Sequence, residues 1–279
     1  MHFDETSKLD DASASLDGVS ASVGDASAPD APVRGPSSRT AERQRQQFDE
    51  RDRAIRDAAR RLLLERGLHG FSMDDVAAAI AYSKGTVYQH YDSKEDVLVA
   101  SCAEAAAELA ETFERAAALP LRSRERMTAI VEAYCEFVER HAVSFRVIPL
   151  VHSPTVREKA KPERIAAMEV AQARVRAACA AVVDAAVAAG DLRPPAGMDV
   201  RTIPFALWSL MFGAFMLTEL HSSEKTFGVR DPVAAIRVSW ALHMDGLRWA
   251  PVGGEADPAA TGRRIRDLLV RQAPRPLST

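Results

Sequence analysis

Two helix-start signals stand close together in this chain, and the short stretch between them constrains the fold more than any other feature. Ser72-Met73-Asp74-Asp75 sets a hydroxyl three residues before a carboxylate, a pattern that closes the free N–H groups of a first helical turn. Asp92-Ser93-Lys94-Glu95-Asp96 repeats the signal. Before them, Ile55, Ala58, Ala59, Leu62 and Leu63 form an apolar stripe on a helix that Gly67 ends. The spacing predicts helices at about 48–66, from Ser72 to about Ile80, and from Ser83 to about Gln89, with a tight break at Ala81 and Tyr82. A long helix follows from Ser93 to about Ala118, where Val97, Leu98, Cys102, Ala105, Leu109 and Phe113 keep the stripe and Pro120 stops it.

The remainder reads as further helices at about 123–141, 143–151, 156–189, 199–222 and 231–249. Gly190 and Pro194-Pro195 close the alanine-rich one. Little period-2 patterning survives anywhere, so the expected class is all-α. Four segments are expected: an acidic disordered leader at 1–38, a head at 39–95, a helical body at 96–250, and a flexible tail at 251–279. The leader carries too few large apolar side chains to offset the entropy of ordering it. In the tail, Ile265, Leu268 and Leu269 could mark a short amphipathic helix.

A net charge of −3 argues against indiscriminate coating of nucleic acid. Cys102, Cys135 and Cys179 are too widely spaced for a zinc knuckle or a disulfide framework, and no signal peptide is legible, which fits a reducing cytoplasm. The apolar run Ile203–Leu217 falls short of the roughly 20 residues needed to cross a bilayer. No catalytic motif of a hydrolase, nucleotide-binding loop or zinc protease is present, so neither enzyme activity, metal nor cofactor is expected.

Two short helices in succession are what major-groove docking requires, the first bracing against the backbone and the second presenting side chains to base edges. Ser83, Lys84 and Thr86 fall at the start of the second, and Gly85 keeps its surface low. Tyr88, His90 and Tyr91 offer hydroxyl or ring N–H donors, and Lys94 adds charge beside the next helix start. Ser72 caps its helix and can also approach a phosphate. Arg43 and Arg45 form either a minor-groove arm or a solvated charged face.

These residues resemble the head of TetR/AcrR-type regulators. The resemblance runs through Ala58-Ala59-Arg60-Arg61-Leu62-Leu63, Gly67, Phe71-Ser72-Met73-Asp74-Asp75-Val76-Ala77, Ser83 to Tyr91 and Ser93-Lys94-Glu95. It implies a three-helix helix-turn-helix head on a helical body that binds an effector and dimerises on a palindromic operator in double-stranded DNA, most simply as a repressor. A ligand-independent DNA-binding protein or an activator is the alternative. Two positions depart from the pattern: Ala81 stands where similar proteins carry glycine, and Tyr82 replaces a small aliphatic, either filling the head's core or reaching a phosphate.

In the body, Tyr134, Phe137, His141, Met168, Gln172, Trp208, Met211, Phe212 and Phe215 have the bulk and polar tips to line a cavity for a small apolar or amphipathic effector. The last two body helices carry more apolar surface than one face each can bury. Leu207, Leu210, Ala214 and Leu217, with the stripe Ile236, Trp240, His243 and Leu247, are therefore the expected contacts with a second copy.

Overall fold

The computed structural model describes residues 38–219, 227–253 and 258–272. The leader expected at 1–38 lies outside them except for Ser38, as do residues 220–222 of the helix expected to end there. Among the described residues every regular element is a helix: α1 (Ser38–Arg66), α2 (Met73–Ala79), α3 (Lys84–His90), α4 (Lys94–Ala117), α5 (Ser123–Arg140), α6 (Ala142–Val151), α7 (Pro154–Lys159), α8 (Pro162–Ala188), α9 (Thr202–Glu219), α10 (Pro232–Gly246) and α11 (Pro258–Gln272). The chain divides into two units at Arg45–Gln46.

The elements of the head form where the local signals place them. Ser72 accepts the Asp75 N–H at 3.3 Å while the Asp75 carboxylate accepts the Ser72 N–H at 2.8 Å, a reciprocal capping box. Ser83 and Ser93 cap α3 and α4 through the N–H groups of Thr86 and Asp96. Three spans differ from expectation. Helix α1 begins at Ser38 rather than about 48, extending through the exposed arginine-rich stretch. The single helix expected at 156–189 is two, because Pro162 has no N–H to continue α7 and instead opens α8 at its first turn.

The third difference lies in the segment expected as a flexible tail, where Ile265, Leu268 and Leu269 fall on a helix. Residues 258–272 form α11, which packs on α5 and buries Ile265 and Leu269 in the body's core. Its approach rests on a charged lock. The carboxylate of Glu132, buried on α5, receives Arg237 from α10 at 2.7 and 2.9 Å and Arg266 from α11. A buried carboxylate is tolerated here because two guanidiniums share it.

Two cores sit at opposite ends of α4. One gathers Phe113, Tyr134, Phe137, Phe145, Phe215, Trp240 and Trp249 from the body helices. The other joins Ile55, Leu62, Val76, Val87, Tyr91 and Leu98 of the head to Val147, Val151, Val156 and Met168 of α6 to α8. The boundary expected near residue 95 thus passes through a continuous core.

Candidate functional site

Helix α3 has two unlike faces. Val87 is fully buried, and His90 and Tyr91 follow it inward. Ser83, Lys84, Gly85, Tyr88 and Gln89 face outward, with Tyr88 half exposed and Thr86 partly covered. The N-cap pairs Ser83 Oγ with Thr86 Oγ1 at 2.8 Å. Gly85 faces open space apart from Ser83 Oγ, so nothing projects from that part of the helix. Lys84 is tied to Asp74 on α2, and that hydrogen bond first, then the carboxylate's charge, raises its pKa. It is an exposed cation at the mouth of the α2–α3 pair.

The turn between α2 and α3 closes with the Tyr82 N–H on the Ala77 carbonyl at 3.1 Å and the Ala81 N–H on Ala78 at 3.3 Å. This pair of bonds needs a left-handed residue between them, and Ala81 supplies it at φ 54°. Tyr82 is partly buried and packs against the head's core.

Three of the expected DNA contacts are corrected. Tyr91 is fully buried, its ring lying 4.3 Å from the Arg164 guanidinium, and burial pushes its hydroxyl well above the usual range. His90 stacks on Phe48 at 4.1 Å with Nδ1 3.4 Å from Asp52. Lys94 donates to the carbonyls of Leu68 and Phe71 at 2.6 and 2.8 Å, so it staples α4 to the loop after α1. The side chains of His90 and Tyr91 are thus buried in the head, and the Lys94 ammonium is bonded within it, rather than being presented to a phosphate. Ser72 is exposed, although its hydroxyl is engaged with Asp75 at 2.6 Å. That contact, before the backbone bond and Arg66, holds the Asp75 carboxyl below its ordinary value. Arg43 and Arg45 are exposed on α1. Gln89 was missed, because its place on the outward face depends on the phase of a helix only seven residues long.

In the body, Tyr134, Phe137, Phe145, Phe212 and Phe215 pack ring against ring at 5.5–6.5 Å, with Met211 buried beside them. His141 stacks on Phe137 and pairs with Glu108 at 3.0 Å. Met168 does not join this cluster; it lies in the core shared with the head, because α8 reaches that end of α4. Gln172 faces His152 at 3.3 Å, away from the rings. Trp208 stacks on Phe212 at 4.8 Å yet is 46% exposed. An aromatic chain therefore runs from the surface into the core.

The expected second-copy contacts divide by burial. Leu207, Ile236 and Trp240 belong to the subunit's own core, a correction that follows from helix phase. Leu210, Ala214, His243 and Leu247 are partly covered, and Leu217 is exposed. Besides Leu217, the bare large apolar side chains on these helices are Phe205, Trp208, Val238 and Leu242, three of which are not among the expected site residues. Burial pushes the thiols of Cys102, Cys135 and Cys179 up to about 12, out of the reactive range. Among the described residues no helix is long and apolar enough to cross a membrane.

Residues 55–100 match the family profile of bacterial regulatory proteins, tetR family. Over 100 residues, 36% of this chain, the sequence is 31% identical to the HTH-type transcriptional activator FasR of Mycolicibacterium smegmatis, and this spans 46% of that protein. Two solved structures share the fold: the fatty acid degradation regulator FadR of Bacillus halodurans, with a TM-score of 0.56 at 18% identity over 71% of this chain and 96% of that one, and a tetR-type regulator from Shewanella sp. PV-4, with 0.51 at 17% over 68% and 95%. The helix-turn-helix head of this chain, at residues 55–100, therefore matches the tetR family of bacterial regulatory proteins, and its helical body shares the fold of solved regulators of that kind.

Proposed function

We propose that the chain is a homodimeric, effector-responsive transcriptional regulator of the cytoplasm that reads a palindromic operator with α3 and represses by occupying it. The observation that carries this reading is the division of α3, whose inner face is locked into the head while Ser83, Lys84, Gly85, Tyr88 and Gln89 are left bare. Hydroxyl, amide and ammonium donors around a smooth glycine patch suit base edges and phosphates in the major groove. On DNA, Lys84 would exchange Asp74 for a nucleic-acid acceptor.

A second copy is the natural cover for the exposed Phe205, Trp208, Val238 and Leu242. Two heads related by a twofold axis would then enter half-sites roughly 34–36 Å apart. The aromatic chain from Trp208 through Phe212 to Phe145 is the proposed entry for an apolar or amphipathic effector, which would part these rings and shift α4. A second reading, transcriptional activation, is favoured by the name of the FasR relative, since the same head serves either outcome.

Selection of bound duplexes from a random pool tests the proposal. An enriched inverted repeat is expected, and failure to enrich any palindrome would overturn it. Transcription from a promoter carrying that repeat separates repression from activation.

A further inference from the structure

The corner between α7 and α8 grips the corner between α3 and α4. Ser93 Oγ donates to the Lys159 carbonyl at 2.8 Å, and the Lys161 N–H donates to Asp96 Oδ1 at 2.9 Å. Lys159 and Lys161 add ion pairs to Glu95 at 3.5 Å and Asp92 at 3.2 Å. At the centre lies Arg164. Its Nε donates to Asp96 Oδ2 at 3.2 Å, its Nη2 donates to the His90 carbonyl at 3.1 Å, and its plane covers the Tyr91 ring at 4.3 Å.

Each contact has a separate physical effect. The His90 carbonyl ends α3 and has no partner further along that helix, so a cation there satisfies it and favours the negative end of the helix dipole. The Asp96 carboxylate is fully buried and needs the guanidinium beside it. The fork and flat face of arginine allow one side chain to meet a carboxylate, a carbonyl and a ring at once, which a lysine ammonium does not do.

We infer that Arg164 is a positioning residue for α3: a body side chain that sets the direction in which the outward face of that helix points, independently of the covalent link through α4. A displacement of the start of α8 would then move the C-terminal end of α3 directly. This inference rests on the DNA-binding reading of α3, and its test separates the two.

The full-length protein carrying Arg164→Lys keeps a cation beside Asp96 but loses the ring contact and the fork. It is expected to melt close to wild type, to exchange the amide protons of Val87 to Tyr91 faster, and to bind the duplex enriched by wild type about tenfold less tightly. The slope of binding against salt should stay unchanged, because Arg164 is not itself a phosphate contact. Unaltered exchange and affinity would overturn the inference, and so would a slope reduced by about one phosphate. If Arg164→Lys does not fold, Tyr91→Leu removes the ring and leaves the Asp96 pair, with the same outcomes deciding. Exchange is read without DNA, so an intact clamp in a protein that enriches no duplex defeats only the DNA-binding reading.

Discussion

Gly262 of α11 lies against the buried carboxylate of Glu132: a Cβ at that position would stand 2.3 Å from Oε1. The carboxylate has no room to yield, since Arg237 holds both oxygens and Arg266 one of them. Gly262→Ala is therefore expected to destabilise by about 1–3 kcal/mol through overpacking. Helix propensity alone favours alanine by about 1 kcal/mol, which gives the opposite sign. Denaturant unfolding distinguishes them, and a stabilised variant would show that α11 is not seated on α5.

Ala81 offers a contrast at φ 54°. A left-handed alanine costs roughly 1–2 kcal/mol, and glycine loses about 0.4–1 kcal/mol through its freer unfolded chain. Ala81→Gly is expected to raise stability by about 0.5–1 kcal/mol, the difference of those effects. A lower melting temperature would sink this account of the turn.

Tyr88 and Tyr91 sit three residues apart and should behave as opposites. Tyr88→Ala and Lys84→Ala are expected to weaken DNA binding with little change in melting, and Lys84→Ala should lower the salt slope by about one if it meets a phosphate. Tyr91→Ala is expected to cost about 3 kcal/mol or more of stability, as other large aromatic truncations do. Equal effects on folding from Tyr88 and Tyr91 would contradict the two faces of α3.

Leu242→Glu places a charge on the bare face of α10 and should convert a dimer to a folded monomer, read by light scattering together with circular dichroism. Trp240→Ala, on the inner face, should instead unfold the subunit, costing about 3–5 kcal/mol. Dimers that persist in Leu242→Glu would move the interface elsewhere.

Asp245 is held below its ordinary value of 3.8, first by the Gly253 N–H and then by the Arg124 guanidinium at 2.6 Å. A carboxylate with a depressed folded value contributes its stability in full above 3.8 and loses it as pH falls below that through the folded value. The stability difference between wild type and Asp245→Asn should accordingly be larger at neutral pH than in acid below the ordinary value. A difference that does not change across that range would remove Asp245 from the acid response.

The head was legible because its signals are local: Ser72, Ser83 and Ser93 each act within one helical turn. Orientation was legible only where polar residues mark a phase. From Ile203 to Leu217 nearly every side chain is apolar, so Trp208 reads as interior and Leu207 as interfacial, whereas Trp208 is half exposed and Leu207 is buried in the subunit's own core. His90, Tyr91 and Lys94 misled for a related reason. Their polar atoms suit phosphate chemistry, but the groups that draw these side chains inward, Asp52 beside His90, Arg164 over the Tyr91 ring and the Leu68 carbonyl on Lys94, are distant in sequence. The α11 contact likewise depends on Glu132, more than a hundred residues upstream of Arg266.

The core beneath α3 takes Val147, Val151, Val156 and Met168 from the body. A chimera that exchanges only the first hundred residues with a relative would therefore leave these four side chains facing a mismatched floor. Transplanting the specificity of this protein requires carrying the stretch from 147 to 168 along with the head, so the portable unit is discontinuous in sequence.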